Sequence, residues 1–149
     1  MSSVSADVRA AIGDLNARFA WALDTQDFDA LRAVLARNVH YVSGDREFHD
    51  VEEVITSFRA RTRTRTTRHG LGNMLLEAVD DREVRGRSSW HTFASNDTPP
   101  HLEVSVFMVA DFADTYRDSP RGWRIAERII TPVFRDPALA PAGVPHRPM

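Results

Sequence analysis

The sequence predicts an α+β fold in which N-terminal helices pack on a strongly curved, mainly antiparallel sheet. Two observations predict it. Apolar residues recur at helical spacing through the first half of the chain, and from His69 onward apolar and polar residues alternate as they do in strands. Helices followed by strands that are joined by short turns are typical of the α+β class. We expect the first helix to cross the concave face of the sheet, and a pocket between the two would be the default ligand site.

Three helical segments are predicted, near residues 5–24, 28–36 and 50–60. Asp27 can cap the second segment, and Asp50 opens a stretch resembling a capping box at the start of the third. The run 19–23 is apolar all round, so we expect that end of the first helix to be enclosed. The helical spacing is carried by Val8, Ile12, Leu15, Phe19 and Ala22, and later by Val51, Val54, Ile55 and Phe58.

Four long strands are predicted in the second half, and turn-forming residues separate them. The expected bounds are 67–79, 83–95, 101–116 and 122–133. A brief extended piece over 39–42 precedes the third helix. We assign residues 1–135 to one domain and residues 136–149, which contain four prolines, to a loose C-terminal arm.

Composition excludes several classes of function. A net charge of -2 argues against a nucleic-acid partner, and no apolar run is long enough to span a membrane. The chain contains no cysteine and no lysine, which excludes thiolate metal sites, cysteine nucleophiles and Schiff-base chemistry. The six histidines lack the helical pairing of a metal site, so we expect neither a metal nor another cofactor. Without a recognisable secretion signal, we expect a cytoplasmic location.

Three blocks of sequence carry a resemblance to a known family. They are residues 19–31, residues 66–69 with Asn73, and residues 122–125 with Arg128. In this order they resemble SnoaL-like proteins of the nuclear transport factor superfamily. The resemblance implies a cone-shaped α+β barrel and assembly as a homodimer or homotrimer.

Two branches of that superfamily are similar to the chain. Scytalone dehydratase and the bile-acid dehydratases resemble it through an aspartate on the first helix, here Asp24, and a histidine on a strand, here His69. The β subunits of ring-hydroxylating dioxygenases, which are non-catalytic, resemble it through residues 67–69, Asn73, residues 114–116 and residues 122–126. The fold therefore leaves function open.

His69 and Asp24 are the candidate catalytic residues. The imidazole of His69 can take and return a proton near neutral pH, and the carboxylate of Asp24 can orient the ring and stabilise its protonated form. The alternatives are structural. Asp24 could bond backbone amides at the end of its helix, and His69 could be a core histidine bonded to a carbonyl.

The candidate substrate-binding residues are Trp21, Tyr41, Asn73 and Trp90. Asn73 shares a predicted side of its strand with His69 and could hydrogen-bond an oxyanion, or it could tie strands together as a buried amide. Tyr41 and Trp90 could line the pocket, although the interpretation as core residues is favoured for both. The arginine-rich segment 59–68 could bind a phosphate or carboxylate, but we interpret it as a solvated helix end.

These residues favour a cofactor-independent lyase or isomerase. Its substrate would be a hydrophobic polycyclic or aromatic hydroxy-carbonyl compound, dehydrated or isomerised by proton transfer. The alternative is a non-catalytic subunit or small-ligand-binding protein of the same fold. We also expect self-association, because Phe93, Phe107 and Val109 lie on the strands among polar neighbours and would form an apolar patch.

Overall fold

The computed structural model describes residues 2–142, which form three α-helices and six strands. The predicted α+β class is confirmed. The helices are α1 (Ala6–Asp24), α2 (Phe28–Val34) and α3 (Val51–Arg59). The strands are β1 (Leu35–Ser43), β2 (Arg46–Phe48), β3 (Thr66–Ala78), β4 (Glu83–Ser95), β5 (Val106–Ser119) and β6 (Gly122–Arg135), and a single 3-10 turn covers Pro137–Leu139.

One six-stranded sheet runs in the order β2-β1-β6-β5-β4-β3. All neighbouring strands are antiparallel except β1 and β6, which are parallel. The chain therefore builds one edge of the sheet first, crosses through α3, and begins again at the opposite edge with β3. The buried side of α1 contributes Ile12, Leu15, Phe19 and Ala22 to the core between helices and sheet.

Side-chain caps explain why each helix begins where it does. The hydroxyl of Ser5 accepts a hydrogen bond from the amide of Val8, and the carboxylate of Asp27 accepts one from the amide of Ala30. Asp50 accepts the amide of Glu53 in the same way. Each cap satisfies a backbone donor that has no partner within the helix.

The structure corrects the predicted strands at two places. The extended piece predicted over 39–42 is the nine-residue strand β1, which pairs with the short strand β2 in a hairpin. The strand predicted to begin at residue 101 begins instead at Val106. Leu102 and Val104 are almost fully exposed, so these apolar side chains alternate with polar ones without packing on the core.

A buried ion pair lies at the centre of the sheet face that α1 covers. The Arg128 guanidinium donates from Nε and Nη2 to the Asp114 carboxylate, at 2.9 Å for both bonds, and both side chains are fully buried. Arg128 also donates to the side-chain oxygen of Asn16 on α1. The Tyr116 hydroxyl accepts from the Asn16 amide at 2.9 Å and donates to Asp114 at 2.8 Å. This polar cluster joins α1, β5 and β6.

Three aromatic rings surround the Arg128 guanidinium. Its central carbon lies 4.4 Å from the centre of Phe19, 4.9 Å from Phe112 and 5.5 Å from Trp90. Burial alone would lower the pKa of Arg128, but the charge of Asp114, its hydrogen bonds to Arg128 and the nearby tyrosines Tyr116 and Tyr41 together outweigh burial and raise the pKa above its ordinary value. The cation therefore stays charged inside an apolar shell, where cation–π contacts are strongest.

Residues 136–142, the first half of the predicted loose arm, pack on the sheet. Asp136 donates its amide to the carbonyl of Phe107, and Ala140 is buried with Phe107 and Ala94. Phe107 therefore faces inward, which corrects its expected place in an exposed patch. Residues 143–149 lie outside the described part of the chain. Among the described residues, no helix is long and apolar enough to cross a membrane.

We expect Asp114→Ala to destabilise the protein by about 3–5 kcal/mol, because it leaves the buried cation of Arg128 without its counter-charge. The double variant Asp114→Leu/Arg128→Met removes both charges and should lose far less. Denaturant unfolding followed by circular dichroism measures both. Equal destabilisation of the single and double variants would contradict the assignment of the cost to an unpaired charge.

Candidate functional site

A cavity of about 80 Å³ opens between the helices and the concave face of the sheet. That volume is several times what one water molecule needs. Its walls combine aromatic and aliphatic side chains with nearly as many polar and charged ones. The lining residues include Phe19, Leu23, Tyr41, Phe48, Phe58, Trp90, Phe107, Met108, Phe112 and Ile130, together with Arg46, Arg61, Arg65, Thr67 and His69.

Asp24 and His69 meet at this cavity. His69 Nδ1 lies 2.6 Å from Asp24 Oδ1, and the His69 backbone amide donates to Asp24 Oδ2 at 3.1 Å. The Thr67 hydroxyl also donates to Asp24 Oδ1, at 2.8 Å. The Asp24 side chain is 4% exposed and that of His69 is 12% exposed. His69 Nε2 makes no hydrogen bond to any residue between 2 and 142, so this nitrogen is the one available to a ligand.

Local structure explains this meeting. Asp24 is the last residue of α1, so its side chain reaches beyond the helix toward the start of β3. On β3, Thr67 and His69 lie two residues apart and therefore face the same side of the sheet. The carboxylate of Asp24 therefore binds groups of β3. The structural alternative, in which Asp24 bonds backbone amides at the end of its own helix, is not what the structure has.

Tyr41 and Trp90 also line the cavity, and both are buried. Burial raises the pKa of Tyr41 to about 12, so its hydroxyl is protonated at neutral pH and can donate a hydrogen bond. The Trp90 indole stacks on Phe112 with ring centres 4.9 Å apart and donates to the Ser88 hydroxyl at 2.9 Å. Its nitrogen is therefore already occupied, and Trp90 contributes an apolar wall.

The expected positions of Trp21 and Asn73 in the pocket are wrong. Trp21 is 61% exposed, because the apolar end of α1 contacts the core with only part of its circumference. Asn73 is exposed because β3 contains a bulge between Leu71 and Met74, where three steps on β3 oppose two on β4. The extra residue reverses the alternation, so Asn73 no longer shares a side with His69.

Sequence reasoning missed two arginines of the segment 59–68, which it interpreted as solvated. Arg65 is 6% exposed, and Arg61 has a buried Nε atom; both line the cavity. Arg59, Arg63 and Arg68 are exposed as predicted. No local signal separates them, because Arg63 lies midway between Arg61 and Arg65 in the sequence and is exposed, so alternation along the segment does not predict which side chains turn inward.

One group among the described residues offers the donor set of a metal site. His40, Glu47 and His49 each place a ligating atom within 4.8 Å of the other two. Glu127 Oε2 lies 2.8 Å from His40 Nδ1, and the hydrogen bonds that the ring of His40 makes to Glu127 and Glu47 raise the pKa of His40. None of these residues lines the cavity. The search for helical histidine pairs missed this group because the β1–β2 hairpin assembles it.

Comparisons with solved structures reveal the same fold at low sequence identity. A cystatin-like protein of unknown function from Nostoc punctiforme is 21% identical, with a TM-score of 0.75 over 93% of this chain and 98% of that one. A type 2 hexachlorocyclohexane dehydrochlorinase (LinA) is 16% identical, with a TM-score of 0.72 over 95% and 94%. A Novosphingobium aromaticivorans protein with a provisional scytalone dehydratase assignment is 14% identical, with a TM-score of 0.71 over 93% and 95%. A search of curated proteins returns no match.

The family model described as SnoaL-like domain matches residues 4–129. That span begins before α1, ends within β6, and contains both Asp24 and His69. The match covers most of the chain and confirms the resemblance found in the sequence. The chain therefore belongs to the SnoaL-like domain family.

Proposed function

We propose that this protein is a cofactor-independent lyase or isomerase, with a hydrophobic aromatic or polycyclic hydroxy-carbonyl compound as its substrate. The observation that carries the proposal is the contact of 2.6 Å between His69 Nδ1 and Asp24 Oδ1 at the wall of an aromatic cavity. A histidine held in this way by a carboxylate is a general base with a fixed ring orientation.

In the proposed reaction His69 Nε2 removes a proton beside the substrate carbonyl. The carboxylate of Asp24 stabilises the imidazolium that forms, and His69 then returns the proton to the departing hydroxyl or to a neighbouring carbon. Negative charge develops on the carbonyl oxygen during proton removal, and the Tyr41 hydroxyl is a donor at the cavity that can bind it. Asn73 is not available for this role, because it is exposed outside the cavity.

Two features favour an enzyme over a non-catalytic subunit. A structural subunit has no need of an open space beside a buried histidine–carboxylate pair, whereas here that space remains unfilled by side chains. Two of the structural relatives, the dehydrochlorinase and the protein assigned as a scytalone dehydratase, carry the names of elimination enzymes. Elimination of a leaving group beside an acidic proton needs the same kind of base.

We expect His69→Gln to fold normally and to lower turnover by about 10²-fold or more, the usual loss when a general base is removed. Glutamine can still donate to Asp24 but cannot accept and return a proton. A screen of cyclic β-hydroxyketones would identify a working substrate, and kcat would then be compared at matched thermal stability. His91→Gln is the matched control, because His91 is exposed on β4 opposite Gly70 of β3. Unchanged turnover in His69→Gln would contradict the proposal.

Asp24→Asn should also reduce kcat strongly while the fold persists. An asparagine amide that donates to Nδ1 would leave the remaining proton on Nε2, and that tautomer cannot act as a base toward the substrate. The measurement is kcat for Asp24→Asn beside Thr67→Val, which removes another hydrogen bond to the same carboxylate and leaves its charge. If Thr67→Val loses as much activity as Asp24→Asn, the carboxylate acts only as a structural tie.

We also propose that the protein self-associates through the outer face of the sheet. Phe134 of β6 is 68% exposed and pairs with Val109 of β5, which in turn pairs with His91 of β4. Phe134, Val109 and Phe93 form an apolar strip along this row, and the ring of Phe93 lies 5.6 Å from that of His91. Light scattering at micromolar concentration should give the mass of a dimer or trimer, and Phe134→Glu should lower it. A monomeric wild-type mass would contradict this proposal.

A further inference from the structure

The wall of the cavity has an unbalanced charge. Among its lining residues are Arg46, Arg61 and Arg65, and the set contains no aspartate or glutamate. Asp24 and Asp114 are close in the fold, but each already has a basic partner, His69 and Arg128 respectively. The cationic groups at the cavity therefore have no protein carboxylate of their own within the described part of the chain.

Arg65 is buried and only partly satisfied. Its Nη1 donates to the Asn96 side chain at 3.1 Å and to the carbonyl of Leu139. Its Nε and Nη2 are buried without a hydrogen-bond partner among residues 2–142. Burial lowers the pKa of Arg65 to about 10. Leaving two charged donors unpaired is costly, because each has lost its hydration.

The Arg61 side chain has fewer polar partners than that of Arg65. Its guanidinium stacks over the ring of Phe58 at 4.4 Å, its Nε is buried without a partner, and its side chain forms no salt bridge among the described residues. Burial lowers the pKa of Arg61 to about 10, which is the direction expected where no carboxylate offsets the lost hydration of the charged form.

Hydrogen bonds fix the main chain between Arg61 and Arg65, so the positions of these two side chains do not result from loose packing. Gln26 has a positive φ of 54°, an uncommon conformation for a residue with a side chain. The side-chain amide of Gln26 donates to the carbonyl of Arg65 at 3.2 Å and to that of Arg63 at 3.5 Å. The Thr64 hydroxyl donates to the carbonyl of Asn96 at 2.6 Å. Local strain maintained by several contacts is often found at ligand sites.

We propose that Arg61 and Arg65 form a carboxylate-binding subsite, so that the natural substrate of the cavity is an aromatic acid. A carboxylate offers planar oxygen acceptors that match the guanidinium donors, and the Phe58 and Phe107 rings beneath the two cations suit an aromatic body. The subsite lies on the same wall as His69, which follows Arg65 by four residues. The inference rests on the proposed function only in taking this cavity as the substrate site.

The test compares binding of benzoate and 2-naphthoate with binding of their neutral amides, by calorimetry at constant ionic strength near neutral pH. We expect the wild type to bind at least one acid about 10-fold more tightly than its amide, the ratio typical of a charge-assisted hydrogen bond. Arg61→Met should reduce that preference, because only Arg65 then remains to bind the carboxylate. Arg63→Met is the matched control, because Arg63 belongs to the same segment but is exposed, and it should keep the preference.

Thermal stability supplies a second readout. Because the pKa of Arg61 in the folded protein lies below the ordinary value of 12.5, its charge opposes folding at every pH below about 10. Ligand-free Arg61→Met should therefore melt at the wild-type temperature or above it. A clearly lower melting temperature would identify Arg61 as a structural residue and overturn the proposal, as would equal binding of acid and amide by the wild type or failure of both acids to bind.

The binding experiment needs no turnover, so its failure can be separated from failure of the proposed function. His69→Gln should keep the preference for the acid, since it leaves both arginines in place. If the preference depends on Arg61 while turnover does not depend on His69, the subsite stands and the proposed chemistry falls. If turnover depends on His69 but Arg61→Met keeps the full preference for the acid, the proposed chemistry stands and the subsite is overturned.

Discussion

The buried ion pair of Arg128 and Asp114 is the constraint around which the rest of the structure is arranged. It joins two neighbouring strands and, through Asn16, fixes the position of α1 above them. The same cation holds three aromatic rings, and these rings are walls of the cavity. Gly86 leaves room for the ring of Tyr116, because a Cβ at this position would lie 2.9 Å from that ring. The helix, the sheet and the cavity therefore depend on one polar cluster.

Asp24 performs a second joining task at the far end of α1. Its carboxylate binds the Thr67 hydroxyl, the His69 amide and the His69 ring, so it attaches the helix to the edge strand β3. The group proposed to support catalysis is thus also a structural tie.

The sequence was sufficient where the signal is local. Asp27 and Asp50 start their helices as expected, and the strand predicted over 83–95 is β4. It failed where the outcome depends on a neighbouring element. Asn73 is turned outward by a bulge that only pairing with β4 defines, and Trp21 is exposed because helical periodicity does not say how much of α1 is covered. Arg65 is enclosed by Asn96 and Leu139, which are distant in sequence, so its run of arginines looked like a solvated surface.

The bulge in β3 also alters the exposed edge of the sheet. β3 is thirteen residues long and forms an outer edge of the sheet, where unpaired backbone groups could recruit a strand from another chain. The irregularity between Leu71 and Met74 breaks the spacing of those groups, so a straight strand cannot match both halves of the edge. Ser2 occupies the end of the same edge through a bridge to Ala78. The feature that removes Asn73 from the cavity thus also makes this long edge a poor template for intermolecular pairing.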